Sequence, residues 1–195
     1  MTKKPQASSV SPEFVILGFL SQQPAHGYDL HERISQELGM IWTISLSQIY
    51  NILNRLETHY LIVGVVEEQE KAPARRRFCL SPLGARRLEN WLREPTQPSS
   101  HAIRVEFLTR LYFVYAVSPD QARKLIAVQI ADTHAALGRL HTMLNDTPES
   151  QVFNRMGLEL RMHQLTSMVD WLANCQAQLH LLPPFVADPP TNKDS

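Results

Sequence analysis

Residues 71 to 77 hold Lys71, Arg75, Arg76 and Arg77 with no acidic residue among them, and a little upstream Ser47, Gln48, Asn51, Asn54 and Arg55 recur at helical spacing. Side chains of these types can share one kind of chemistry. Asn and Gln amides pair in two-pronged fashion with adenine edges, Arg pairs with guanine, and Ser with a phosphate or a base. Clustered Lys and Arg neutralise phosphates, and a Tyr hydroxyl, here Tyr50, can donate to a phosphate oxygen. Two plainer readings compete: a merely solvated helix face, and a hairpin whose arginines pair internally with Glu67, Glu68 and Glu70.

The elements that must position these residues can be read from local chemistry. Ser45 is suited to cap a helix, with Gln48 three residues on reaching back to complete a capping box. Leu46, Ile49, Leu53 and Leu56 follow at threes and fours, so they face inward and leave Ser47, Gln48, Asn51, Asn54 and Arg55 outward. Upstream, Ser11 and Pro12 look like a helix start, and Phe14, Val15, Leu17, Phe19 and Leu20 demand a largely buried first helix. Pro24 to Gly27 interrupts it. A second helix from about Gly27 to Leu38 is expected to bury Tyr28, Leu30, Ile34 and Leu38 and to close near Gly39. Downstream, Leu61 to Val66 reads as a strand and Phe78, Cys79 and Leu80 as a second short one, with a loop from Glu70 to Ala74 between them. Ser81 and Pro82 begin another helix, with Leu83, Leu88, Trp91 and Leu92 on its buried side and its end before Pro95. Helix, helix, helix, hairpin, helix over residues 11 to 94 is the order of a winged helix-turn-helix domain.

On these residues the chain resembles the PadR-like transcriptional regulators. The likeness is carried by Gly27, Tyr28, Asp29 and Leu30; by Tyr50, Leu53, Arg55, Leu56 and Glu57; by Leu61; and by the run from Arg75 to Gly84. Two positions depart from the family pattern. Ser81 stands where threonine is usual, and Tyr60 where a glycine usually precedes the Leu, so a positive φ there would cost the tyrosine steric energy. The resemblance implies a homodimer built through C-terminal helices and often a response to a small aromatic or lipophilic compound. It also points to double-stranded DNA, with an inverted-repeat operator expected from two-fold symmetry. Base edges would then be read by Ser47, Gln48, Asn51, Asn54 and Arg55, and phosphates held by Tyr50, Lys71, Arg75, Arg76 and Arg77.

Past Pro95 the chain changes character. Residues 95 to 100 are rich in Pro, Ser and polar residues and read as a linker, and residues 101 to 182 carry helical signals alone. Ile103, Phe107, Leu108, Leu111, Tyr112, Val114 and Tyr115 make a broad apolar stripe. Ser118 and Pro119 restart a helix in which Ile126, Ile130, Thr133, Leu137, Leu140 and Leu144 alternate spacings of four and three, a heptad seam. Thr147 and Pro148 then open a last helix carrying Phe153, Leu158, Leu160, Leu165, Val169, Leu172 and Leu179. Helices of roughly 27 and 33 residues would run about 40 and 50 Å and need cover. An antiparallel pair packing on itself would supply it, as would a two-fold dimer in which Ile126, Ile130, Leu137, Leu140, Leu144, Leu165, Val169 and Leu172 meet a second copy. The length of this region resembles the family branch with a virulence-activator-like C-terminal domain. The fold class is thus mainly α, an N-terminal winged domain followed by a long-helix dimerisation domain.

Composition bounds the function. The chain has 195 residues, 44% hydrophobic and 19% charged, with a formal net charge of zero, so any attraction to nucleic acid has to come from local charge. No apolar run approaches the roughly 18 residues of a membrane span, and Lys3 and Lys4 are not followed by a signal-peptide core, which leads to a cytoplasmic expectation. Cys79 and Cys175 suit small buried hydrophobes better than a disulfide framework. No metal or cofactor is expected: His134, His141, His163 and His180 lack the spacing and carboxylates of a metal site. No catalytic residue is expected either, because a phosphate-binding glycine loop, a serine elbow and a His-Glu helical pair are all missing. Trp171, Met162, Met168, Phe153, Tyr112 and Tyr115 could line an effector cavity, though stripes of this kind more often pack as core. A winged-helix dimer that binds another protein instead of DNA is the alternative from a different class.

Overall fold

The structure is a computed structural model that describes residues 11–69, 72–179 and 181, the side chains of residues 68, 69 and 72–74 excepted. Lys71, His180 and both chain ends lie outside the described residues. The chain divides into two compact units, one running to Pro95 and taking in Arg104–Thr109, the other comprising Thr96–Ile103 and the chain from Arg110 onward.

The first unit contains α1 (Glu13–Gln22), β1 (Ala25–His26), α2 (Gly27–Glu37), α3 (Leu46–Thr58), β2 (Ile62–Gln69), β3 (Ala72–Leu80) and α4 (Pro82–Arg93). Its core is apolar on the expected faces: Val15, Ile16, Leu17 and Phe19 of α1, Leu30 and Ile34 of α2, and Ile49, Ile52, Leu53 and Leu56 of α3 are buried. Each such side chain contributes about 1.5–3 kcal/mol on leaving water. Tyr28 does not join them and is exposed. Leu30, Ile34 and Leu38 already form the inward row at steps of four, and Tyr28, two residues before Leu30, points about 200° away from it around the helix. Leu46, at the first position of α3, is only partly buried.

The three strands form an antiparallel sheet in the order β1-β3-β2. Both hairpin strands are longer than their apolar cores announce. The second, expected at Phe78–Leu80 after a loop from Glu70 to Ala74, begins at Ala72, so Arg75, Arg76 and Arg77 sit on the strand opposite Glu67, Val66 and Val65. A register shift falls between Glu67 and Gln69, near the tip, where bulges commonly end regular pairing.

The turn after α3 is fixed by hydrogen bonds. Tyr60 N–H donates to the Glu57 carbonyl and Leu61 N–H to the Leu56 carbonyl, both at 2.9 Å, which is the Schellman pattern. Tyr60 occupies its left-handed position with φ 57°. The Ser81 hydroxyl donates to the Tyr60 carbonyl at 2.7 Å and accepts from Gly84 N–H at 3.0 Å. One side chain therefore ties this turn to the start of α4.

The second unit contains α5 (Ser100–Ala102), α6 (Leu108–Val117, of which Leu108 and Thr109 belong to the first unit), α7 (Pro119–Asp146) and α8 (Val152–Leu179). Between α5 and α6 the helical path widens into a π-helical turn, Ile103–Phe107. Ser99 caps α5 and Ser118 caps α7, each accepting a backbone N–H at 3.3 Å. Thr96, expected in an exposed linker, is buried; its carbonyl accepts from Gln129 Nε2 at 3.3 Å and its hydroxyl from Arg110. The last helix begins at Val152 and not beside Pro148, and a side chain from its first turn closes the end of α7. Arg155 Nη1 donates to Leu144 O at 3.0 Å and Thr147 O at 2.8 Å.

α7 and α8, 28 residues each, pack as an antiparallel pair within one chain. Leu158, Leu165, Leu172 and Leu179 of α8 recur every seventh residue and are buried, the interval that keeps one seam in contact between long helices. Ala136 and Leu140 of α7 meet Leu158 and Leu165 there, with Leu137, Leu144, Met162 and Met168 at the margin.

Candidate nucleic-acid interface

α3 is held at its start by a complete capping box. The Ser45 hydroxyl accepts from Gln48 N–H at 3.3 Å, and Gln48 Oε1 accepts from Ser45 N–H at 2.8 Å. With the helix phase fixed there and by the buried Ile49, Ile52, Leu53 and Leu56, the opposite side carries Ser47, Gln48, Tyr50, Asn51, Asn54 and Arg55, all exposed. Gln48, Asn51 and Arg55 follow one another at i, i+3 and i+7, a single ridge along the helix. Tyr50 lies against the first turn of α2: a Cβ added to Gly27 would come within 2.7 Å of its ring. Glycine at position 27 is what allows α2 and α3 to meet with that tyrosine between them.

The arginines of β3 are not equivalent. Strand alternation sends Arg76 to the same side as Phe78 and sends Arg75 and Arg77 to the other. Arg76 Nη2 donates to Glu57 Oε1 of α3 at 2.6 Å, and the same oxygen accepts from Gly64 N–H at 3.1 Å. Its guanidinium also lies 5.4 Å from the Phe78 ring centre. Arg76 thereby joins the wing to the helix. Arg77 Nη1 reaches Glu67 Oε1 at 3.4 Å, whose other oxygen is 3.5 Å from His26 Nε2. His26 Nδ1 in turn is 3.0 Å from the Arg76 carbonyl. Arg75 is exposed, and among the described residues it has no ion-pair partner. Ion pairs this open to solvent are worth about 0–1 kcal/mol, so Arg77 can exchange Glu67 for a phosphate at little cost.

Sequence reasoning missed the acids that organise these cations. Glu13 receives Arg55 Nε at 2.6 Å from a residue 42 positions away, and Glu57 receives Arg76 from 19 positions away. Nothing in local spacing reveals such pairs; Glu57 was visible only as part of a motif. The residues named for the long helices also divide. Ile126, Leu140, Leu165 and Leu172 are buried in the seam within the chain, while Ile130, Leu137, Leu144 and Val169 are partly buried. Of the large apolar residues of α8, those left outward are Val152, Phe153, Met156, Leu160 and Trp171.

A three-helix core, a reader helix with a polar outer face and an arginine-bearing hairpin define a winged helix-turn-helix protein. Residues 16–90 match the model of the transcriptional regulator PadR-like family, and residues 103–180 match that of the virulence activator alpha C-term domain. The winged unit is thus similar to that of the PadR-like regulators, and the helical unit to the C-terminal domain of the virulence-activator branch. It is 29% identical over 128 residues to the negative transcriptional regulator PadR of Bacillus subtilis (strain 168), covering 66% of this chain and 70% of that protein. Among solved structures, Bacillus subtilis PadR in complex with operator DNA is 26% identical with a TM-score of 0.43, over 86% of this chain and 98% of that one. The complex of the same protein with p-coumaric acid is 25% identical with a TM-score of 0.38, over 87% and 98%.

Among the described residues, no helix is long and apolar enough to cross a membrane.

Proposed function

We propose that this protein is a sequence-specific, DNA-binding transcriptional regulator that acts as a homodimer, by binding and not by catalysis, in the cytoplasm. The observation that carries the reading is the exposed ridge of Gln48, Asn51 and Arg55 on a helix whose phase is fixed by its cap and its core. Ser47, Gln48, Asn51, Asn54 and Arg55 read base edges in the major groove. Tyr50, Lys71, Arg75 and Arg77 hold phosphates, and Arg76 does so while keeping the wing on α3.

Residues 11–94 form the DNA-binding domain and residues 101–182 the dimerisation domain, joined through residues 95–100. The seam of Ile126, Ile130, Leu137, Leu140, Leu144, Leu165, Val169 and Leu172 stiffens the hairpin that carries the dimer contact. Phe153, Met156 and Leu160, exposed along α8, are the apolar surface a second copy would cover. An effector, of the small aromatic or lipophilic class that the family resemblance implies, would act by changing the angle between the long helices and so the spacing of the two readers.

Selection of bound fragments from a random double-stranded DNA pool tests this reading. An inverted repeat with half-sites about one turn, roughly 10 bp, apart is expected, and Asn51→Ala should relax preference at one base pair by about 1–3 kcal/mol. The exposed Val63, Val65 and Val66 of the wing favour a second reading, in which the hairpin docks on another protein. A pool without an enriched motif, and binding to DNA that is absent at physiological salt, would support that reading.

A further inference from the structure

Glu13 opens α1, well away from α3 in sequence, yet its carboxylate is built into the reader helix. Oε1 accepts from Arg55 Nε at 2.6 Å, and Oε2 lies 3.8 Å from Arg87 Nη2. The Glu13 side chain is only 14% exposed whereas that of Arg55 is 51% exposed. The acid is sheltered and the cation is presented. Arg87 is itself placed over the Phe14 ring, 5.6 Å from its centre, and that ring stacks on Trp91 at 4.5 Å, so the carboxylate sits in a packed frame.

A guanidinium offers five donors, and this pair uses the one on Nε. Among the described residues neither Nη group of Arg55 has a partner. Those two groups are the fork that meets guanine O6 and N7. Arg55 also stands at the end of the ridge begun by Gln48 and Asn51, in line with the amides. Arg loses much rotamer freedom when it binds, and a side chain already held by its inner edge loses less. The nearby carboxylate also offsets the charge that would otherwise draw Arg55 to any phosphate.

We infer that Glu13 is a positioning residue for base recognition: it holds the Nε edge of Arg55 so that the Nη fork faces a guanine, and it suppresses indiscriminate phosphate binding by that arginine. The inference rests on α3 reading the major groove. An acid in the first turn of α1 also favours the helix dipole, but that role would leave base preference untouched.

The test measures equilibrium binding of the full-length protein to its selected site, to variants of that site changed at each guanine, and to unrelated DNA, over a salt series. Glu13→Ala is expected to lose about tenfold in discrimination at one G·C pair. It should also bind unrelated DNA more tightly, with a salt slope steeper by about 0.9. Glu13→Gln keeps an oxygen that accepts from Nε; it should retain most of the discrimination while its salt slope steepens. Arg55→Ala should lose the same discrimination as Glu13→Ala, and the double variant should be no worse than Arg55→Ala alone. Equal weakening on every sequence with preference intact in Glu13→Ala overturns the inference and leaves Glu13 a structural acid. Preference intact in Arg55→Ala overturns the reading of Arg55 itself, and the inference with it. If Glu13→Ala does not fold, the Glu13→Gln slope decides: steeper supports the inference, unchanged overturns it.

Discussion

Replacing Tyr60 by glycine should make the winged unit more stable, although it deletes an entire aromatic side chain. Tyr60 sits at φ 57°, where an L-residue with a Cβ is about 1–2 kcal/mol less stable than in the right-handed region. The residue is 79% exposed, so little burial is forfeited. The two Schellman bonds and the bond from Ser81 all use the Tyr60 and Leu61 backbone and survive the change. Against the relief stands the extra freedom glycine gives the unfolded chain, about 0.4–1 kcal/mol. The balance is a gain of roughly 0.5–1 kcal/mol, or about 1–4 °C in melting temperature for a chain of this size. Urea unfolding in a Trp171→Phe background, where Trp42 and Trp91 of this unit alone report, measures it without mixing the two units. Tyr60→Ala is the control, since alanine keeps the steric cost and should show no gain. A glycine variant no more stable than the alanine variant would refute the reasoning, because relief of the left-handed strain is the one favourable contribution to the difference and is expected to outweigh the added freedom of the unfolded chain.

Four further outcomes follow from the same structure. Gly84→Ala should destabilise the winged unit by about 1–3 kcal/mol, read from the same urea curves, because a Cβ there would overlap the Leu61 carbonyl oxygen with backbone on both sides. Arg75→Ala should lower affinity for all DNA sequences alike and reduce the salt slope by about 0.9. Arg76→Ala should in addition lower the melting temperature, since it leaves Glu57 without its wing partner. Burial raises the Cys175 thiol above its ordinary value, so alkylation by iodoacetamide at mildly alkaline pH should be slower than that of a free small thiol. That gap should close in denaturant. The sign for folding is that this neutral thiol contributes stability in full below the unfolded value, and the contribution is lost as pH rises through the folded one.

The chain order determined a good deal by itself, because the signals involved act within a turn of helix or across one strand. Ser45 with Gln48, and Ser118 with Pro119, mark helix starts through bonds that span three residues. The inward row Ile49, Leu53 and Leu56 fixes which side of α3 faces water, and the outer face of Gln48, Asn51 and Arg55 follows from it. Tyr60 in place of glycine announced a strained turn, and the strain is there. Tertiary structure decided what depends on residues far apart. It extended β3 back to Ala72 by pairing with β2, which puts the three arginines, left between loop and strand by the sequence, on the strand itself. It gave Arg55 to Glu13 and Arg76 to Glu57, pairs with no common sequence interval to read. It also folded α7 onto α8, so that the heptad leucines cover each other and a different row, led by Phe153, faces outward. Periodicity tells a helix which side is apolar. Only the packed chain tells it what that side touches, since a row of leucines is equally satisfied by its own hairpin or by another copy.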